Sequence, residues 1–200
     1  MFNLKRKSFK KFDFILLLTV LLISIYGIIV IKSATLTFEI QRHVKVQIIS
    51  TILGLIAIFF LVLMDYQFIG KFYIPIYIVS VGLLLAVALF GVGDEQWGAR
   101  SWLYIGSFGF QPAELSKVGL VIFLAKYIDK NKSELNQPIT LLKIIFFAAI
   151  PMALIYKQPD LGTTAVVLFS VAVMVFAAGL DWKYIGYAII LGIISYLFYG

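Results

Sequence analysis

Charged residues divide this chain into a series of long apolar stretches. Four of them carry no Asp, Glu, Lys or Arg over 18 to 22 consecutive residues, and a fifth runs for 17 residues to the end. A helix of about 20 residues crosses the roughly 30 Å of hydrocarbon in a bilayer. Two shorter apolar stretches extend to helix length past a few charges. The pattern predicts one transmembrane domain over 1–200 with seven helices, at about 14–31, 46–64, 72–93, 112–128, 139–157, 160–180 and 184–200.

Composition fixes the class of protein. The 200 residues are 62% hydrophobic and 14% charged, and the mean hydropathy is +1.02. Soluble domains are about half apolar and about a quarter charged, so this chain lacks the charges that a water-facing surface requires. The absence of Cys excludes thiolate chemistry, and a single His excludes a zinc triad. An all-α polytopic integral membrane protein is predicted. Its net charge of +7 suits the anionic headgroups of a lipid bilayer, and no nucleic acid partner is invoked.

Lys and Arg are distributed unevenly among the predicted loops. With the N-terminus inside the cell, inside segments hold 11 of these residues and outside segments hold 6. Cytoplasmic loops are enriched in Lys and Arg, so a cytoplasmic N-terminus is predicted. The basic start of the chain precedes a long apolar run with no small-residue cleavage site. Residues 14–31 are therefore interpreted as a first transmembrane helix and not as a signal peptide.

The most informative loop is predicted to lie outside and reads GDEQWGARSWLYIGSFGFQPAELSK from Gly93 to Lys117. Its aromatic rings have two interpretations. They form an interfacial aromatic belt, or they form a re-entrant lip that grips a lipid-linked substrate. The belt is the default interpretation for any single ring. Arg100 beside Trp102 supports the second, because a guanidinium binds phosphate in a bidentate manner. The rings concerned are those of Trp97, Trp102, Tyr104, Phe108 and Phe110.

Glu114 and Lys117 lie three residues apart on one predicted helix. In water, such a pair contributes only about 0.2–0.5 kcal/mol to helix stability. At membrane depth, ionisable groups are costly and usually face an interior cavity. The position of the pair inside an apolar helix therefore favours a functional role over a purely structural one.

The sequences QPAE and QPDL repeat one device at two predicted helix starts. Pro112 and Pro159 suit a first helical turn, where the missing N–H would have no partner. Both helices would direct free N–H groups outward and, with Arg100 and Lys117, bind a pyrophosphate.

Two other roles remain open for the acids of these motifs. Glu114 and Asp160 complement their own helix ends, or either one holds a divalent cation, Mg²⁺ or Mn²⁺, that bridges to phosphate. We assign no metal ligand set. We expect Glu114, Lys117 and Asp160 to form one polar cluster, with Arg100 at its rim.

These residues carry a resemblance to a known family. GARSWLYIGSFGFQPAELSK followed by QPDLGTT resembles the SEDS family of cell-shape and division proteins, which includes RodA, FtsW and SpoVE. The pattern is long and specific, and the similarity extends over essentially the whole chain. The flanking sequences YGIIVIKSAT, MDYQFIGKF and AAGLDWKYIG are more similar to the RodA branch than to the FtsW branch.

The resemblance implies an enzyme of the bacterial cell membrane that polymerises peptidoglycan strands during cell elongation. Its substrate would be lipid II, which carries an undecaprenyl pyrophosphate, and its partner would be a class B penicillin-binding protein. Carried over by motif, the residues lining a central cavity would be Arg100, Trp102, Gln111, Glu114, Lys117 and Asp160.

SEDS proteins have ten transmembrane helices, and the family's catalytic Asp follows the seventh. The resemblance therefore places that Asp beyond Gly200 and makes this chain the N-terminal portion of such an enzyme, without polymerising activity of its own.

Two other classes of function compete with this interpretation. Charged groups near Pro-started helices are also typical of transporters, so a transporter or flippase for a lipid-linked substrate is an alternative. A non-catalytic membrane scaffold that docks a partner through its helices is another. A continuing reading frame with three more helices and an outside-loop Asp would favour the polymerase.

Overall fold

The computed structural model of the protein describes residues 12–34, 40–93, 100–106, 108–184 and 186–187. These residues form mainly α-helices, joined by short turns and one small hairpin. In chain order the elements are α1 Phe14–Ala34, α2 Ile40–Leu63, α3 Tyr66–Lys71, α4 Tyr73–Phe90, β1 Leu103–Ile105, β2 Phe108–Phe110, α5 Pro112–Lys130, α6 Pro138–Tyr156 and α7 Leu161–Ala177.

Six of the predicted spans each correspond to one of these helices. The bounds of α1, α4, α5, α6 and α7 differ from the predicted ones by at most three residues. Helix α2 begins at Ile40, six residues before the predicted start. Its first turns contain charged residues, and such side chains are compatible with a helix, so charge marks the edge of the apolar segment and not the helix end. The seventh predicted span, 184–200, lies almost entirely outside the described residues.

The chain divides into two compact units, Met1–Phe68 and Ile69–Gly200, and the single transmembrane domain stays a prediction. One feature departs from the sequence prediction: a short helix, α3, follows α2 and was not predicted. It begins where the Asp65 carboxylate accepts a hydrogen bond from the Gln67 backbone N–H at 2.9 Å. This is the capping contact that Asp favours at a helix start.

Four described helices are long and apolar enough to cross a membrane: Phe14–Ala34, His43–Leu63, Tyr73–Phe90 and Pro138–Tyr156. Helix α7 is apolar but shorter, with 17 residues, and α5 carries charges at both ends. The large apolar side chains of α1 are mostly exposed in the isolated chain, and none of them is buried. Hydrocarbon is the environment that accommodates such a surface, and the chain is a multi-pass membrane protein.

In the second unit, helices α4 to α7 surround an apolar core. Leu84 of α4, Leu124 of α5, Ile144 of α6 and Val167 of α7 are all buried there. Toward the end that holds Lys130, the ring of Phe123 stacks on that of Tyr77 at 4.3 Å between centroids. The Tyr77 hydroxyl satisfies its polar atom by donating to a backbone carbonyl of α6 at 2.8 Å. This core fixes the relative positions of α5 and α7, which carry the candidate site.

The loop that precedes α5 folds into an antiparallel hairpin. Strands β1 and β2 pair with Leu103 opposite Phe110 and Tyr104 opposite Gly109. Just before β1, Trp102 exchanges backbone hydrogen bonds of 2.9 and 3.1 Å with Val92, which follows α4. The hairpin is therefore attached to the end of α4 and leads directly into α5.

Candidate functional site

The first Gln-Pro motif starts α5 as the sequence predicts. Gln111 precedes the helix with an extended backbone, and Pro112 occupies its first turn. The Gln111 carbonyl accepts a hydrogen bond from the Glu114 N–H at 3.1 Å, while its half-buried side chain makes no capping bond. Pro112 and Ala113 are buried against the rest of the unit. The motif is thus a firmly packed helix start.

Glu114 and Lys117 form the ion pair that their spacing predicts. The Lys117 Nζ lies 2.8 Å from the Glu114 Oε1, and the lysine side chain is 26% exposed while that of Glu114 is 58% exposed. The lysine stem lines a small cavity of about 20 Å³ between α5 and α7, together with Leu120, Val167 and others. Lys117 therefore faces the neighbouring helix, and its ammonium group pairs with the more exposed carboxylate of Glu114.

Asp160 has a different set of contacts. Its Oδ1 accepts a hydrogen bond from the Thr163 N–H at 2.9 Å, and its carbonyl accepts one from the Thr164 hydroxyl at 2.8 Å. These bonds make it the N-cap of α7. Within the described part of the chain, Asp160 bonds to its own helix and not to Lys117. Glu114 and Lys117 thus pair with each other while Asp160 caps α7, and the expectation that the three form one polar cluster stays a prediction.

Arg100 is brought beside the second Gln-Pro motif. It lines an open cleft of about 430 Å³ with Val87 and Ala88 of α4 and with the turn formed by Lys157, Gln158 and Pro159. The side chain of Arg100 is exposed, and none of the ion pairs among the described residues includes it. Arg100 thus lies beside the α6–α7 turn, in which Pro159 directly precedes Asp160.

The aromatic rings of the loop are only partly described. Trp102 is 44% exposed and Tyr104 is 54% exposed, and the Tyr104 ring lies over Gly109, so closely that a Cβ there would lie 2.7 Å from it. Trp97 and the side chain of Phe108 lie outside what the structure describes. The exposed rings are compatible with both the aromatic belt and the substrate lip, and the choice between them stays a prediction.

Sequence reasoning missed the contribution of Gln158. This residue is only 4% exposed, and neither its Oε1 nor its Nε2 has a hydrogen-bond partner among the described residues. It stands beside Lys157, which was considered only as a loop charge. The repeated Gln-Pro motif was the available signal. In the sequence, the motif was used to locate Pro159 at a helix start, and no inference was drawn about the Gln158 side chain.

A metal site built by the chain itself is not found among the described residues, since no three His, Asp or Glu side chains come together there. Glu114 is paired with Lys117, and Asp160 caps α7. Mg²⁺ usually needs only one or two carboxylates when substrate phosphates complete its shell. A cation carried by a bound diphosphate therefore remains compatible with this site.

Curated proteins align with nearly the whole of this chain. RodA of Treponema pallidum, named a peptidoglycan glycosyltransferase, is 33% identical over 94% of this chain and 43% of its own length. A probable peptidoglycan glycosyltransferase FtsW of Trichlorobacter lovleyi is 29% identical over 90% of this chain and 49% of its own length. The chain thus spans about half the length of these curated relatives.

Solved structures have the same fold. The crystal structure of the Thermus thermophilus rod shape determining protein RodA matches with a TM-score of 0.73 and 29% identity, covering 90% of this chain and 58% of that one. A chain from a study of polymerization and crosslinking by a peptidoglycan synthase complex matches with a TM-score of 0.77, covering 94% and 52%. The family of cell cycle proteins that comprises FtsW, RodA and SpoVE matches residues 13–199, so this chain belongs to that family.

Proposed function

We propose that the protein containing this chain is a peptidoglycan glycosyltransferase that polymerises lipid II at the outer face of the bacterial cell membrane. The observation that carries this proposal is the pair of helix starts at Pro112 of α5 and Leu161 of α7. Pro159 lies in the turn before the N-cap Asp160 and not in the first turn of α7, where the sequence predicted it. Helix α6 lies between the two helices in the chain and packs against both, so α5 and α7 run in the same direction and their N-termini lie at the same end. Two helix N-termini, with Arg100 and Lys117 nearby, suit a diphosphate.

The chemistry assigned to these residues is stabilisation of the leaving group. Glycosyl transfer from lipid II releases an undecaprenyl pyrophosphate, on which negative charge develops as the glycosidic bond breaks. Fixed cations and helix N-terminal N–H groups stabilise such charge without reorganising during the reaction. The acceptor hydroxyl also needs a general base, and the family resemblance assigns that role to an Asp after the seventh helix.

A role in cell elongation is the finer part of the proposal. The sequences flanking the motifs are more similar to RodA than to FtsW, and this similarity supports the elongation role. A class B penicillin-binding protein is the proposed partner. The match to a chain of a peptidoglycan synthase complex supports this choice. Any divalent cation, Mg²⁺ or Mn²⁺, would be carried by the diphosphate.

The proposal can be tested by expressing the protein from its own gene and mixing it with lipid II and a class B penicillin-binding protein. Glycan strands separated on a gel should be longer than the input disaccharide. Arg100→Ala and Lys117→Ala should each reduce strand yield about tenfold or more, because each removes a charge that stabilises the leaving group. Lys132→Ala, an exposed lysine in the turn between α5 and α6, is the matched control and should leave yield unchanged.

The outcome that contradicts the proposal is equally direct. If the wild-type protein moves lipid II across vesicle membranes but makes no strands, the flippase alternative replaces it. If it does neither, the scaffold alternative remains.

A further inference from the structure

The cleft beside Arg100 contains two polar residues, Lys157 and Gln158, to which the proposed leaving-group site assigns no role. Its six lining residues are Val87, Ala88, Arg100, Lys157, Gln158 and Pro159. Two of them are cationic and none is acidic. Three are apolar, two of them from α4 and one from the α6–α7 turn. An open cleft of about 430 Å³ with this lining is suited to an anionic group attached to an apolar chain.

Gln158 is the second, independent sign of a ligand. The residue is 4% exposed, and both polar atoms of its amide are buried without a hydrogen-bond partner among the described residues. Nearly all buried side-chain polar groups in proteins are paired, and an unpaired one costs stability. A buried amide that lines a cleft and lacks a partner is therefore explained if a ligand supplies the partner.

The charges around the cleft specify the sign of that ligand. Arg100 and Lys157 take part in none of the ion pairs among the described residues. The carboxylate of Asp160, next to Pro159 in the chain, accepts a hydrogen bond from the Thr163 N–H and forms no ion pair with either cation among the described residues. Guanidinium and ammonium groups together bind phosphate oxygens strongly.

We infer that this cleft is a phosphate-recognition subsite in which Arg100 and Lys157 bind a phosphate or diphosphate group and the Gln158 amide N–H donates to it. The inference rests on the proposed function, since the diphosphate of a prenyl-linked substrate is the group expected there. It adds Lys157 and Gln158 to the residues that contact the substrate. Gln158 fixes the position of the bound phosphate, because its side chain is buried while those of Arg100 and Lys157 are exposed.

The test measures binding and needs no polymerase activity. The protein, expressed from its own gene and purified in detergent, is heated with farnesyl diphosphate, inorganic pyrophosphate or farnesol. Both phosphate probes should raise the midpoint of thermal unfolding, and farnesol should not. A larger shift with farnesyl diphosphate than with pyrophosphate would identify the source of the ligand as a lipid headgroup, and equal shifts would identify a free diphosphate. An equal response to farnesol would overturn the inference.

Gln158→Met distinguishes a ligand contact from a structural residue. Methionine has nearly the same length and removes the unpaired amide, so the midpoint without probe should rise while affinity for farnesyl diphosphate falls about tenfold or more. The matched control is Gln137→Met, since Gln137 also precedes a Pro at a helix start but is exposed at the start of α6. It should change neither quantity. Unchanged affinity in Gln158→Met would overturn the inference.

A second variant covers the case in which Gln158→Met does not fold. Lys157→Ala affects an exposed side chain and should weaken farnesyl diphosphate binding about tenfold with no change in the midpoint, whereas Lys132→Ala should bind as the wild type does. If Lys157→Ala also binds normally, the inference fails. A protein that binds the probes through these residues but makes no glycan strands would contradict the proposed function alone.

Discussion

Gly119 shows how a single residue determines the packing of the second unit. A Cβ at this position of α5 would collide with the Ser80 hydroxyl of α4 and lie 3.0 Å from the Ser80 Cβ. One turn earlier, the Ser116 hydroxyl donates to the Ser80 carbonyl at 3.0 Å. Small residues let membrane helices approach closely and bond to each other's backbone. The contact of α4 with α5 therefore depends on the missing side chain of Gly119.

We predict that Gly119→Ala destabilises the protein. The added methyl group overfills a close helix contact, which typically costs about 1–3 kcal/mol, and this exceeds the roughly 1 kcal/mol that Ala gains over Gly in a helix. Thermal unfolding in detergent measures the change. Gly82→Ala is the control, because nothing lies within 4 Å of a Cβ at that α4 position, and it should be neutral or stabilising. Equal midpoints for the two variants would contradict the predicted overpacking.

At the scale of elements, the hairpin of β1 and β2 is the feature that sequence reasoning left undefined. Gly106 begins the two-residue turn with φ of 63°, a conformation that Gly adopts without strain. The segment LYIGSFGF places Gly-Ser between residues typical of strands, which is a recognised hairpin signal. The signal was present, but the charge-based division into membrane spans treated the whole segment as a loop.

The start of α7 is a second feature at this scale, and it yields a prediction about Asp160. Asp160→Ala removes the side-chain oxygen that accepts the Thr163 N–H at the start of α7. The free energy of unfolding should fall by about 1 kcal/mol. Asp160→Asn retains a side-chain oxygen that accepts the same bond, so its thermal midpoint should stay close to that of the wild type. If both variants lose equal stability, the charge of Asp160 matters more than its hydrogen bond, and the capping assignment is wrong.

At the scale of the whole molecule, one end of the second unit concentrates exposed basic residues and ion pairs. Lys126 pairs with Asp129 at 2.8 Å, and Lys183 pairs with Asp181 at the same distance. The hydrogen bond from Lys183 to Asp181 raises the pKa of the lysine, so the lysine stays charged. Asn136 joins the two turns at this end, since its side-chain oxygen accepts the Asp181 N–H at 2.8 Å. This is the end that the distribution of Lys and Arg predicts to be cytoplasmic.

We predict that this end is inaccessible from outside intact cells. The protein has no native Cys, so single cysteines report topology cleanly. Ser133→Cys, in the exposed turn after α5, should react with an impermeant maleimide only after the cells are opened. Tyr104→Cys, on the exposed hairpin, should react in intact cells. Labelling of the Ser133 variant from outside would reverse the predicted orientation.

The sequence by itself determined where the membrane helices lie, because a span of hydrocarbon imposes a length and an apolar composition that can be counted. It also determined the ion pair of Glu114 and Lys117, since residues three apart on a helix are neighbours whatever the rest of the fold does. Only the tertiary structure decided that Arg100 lines the same cleft as Gln158, and that the Gln158 amide is buried without a described partner. These relations join segments more than 50 residues apart, and no local periodicity encodes which distant residues pack together.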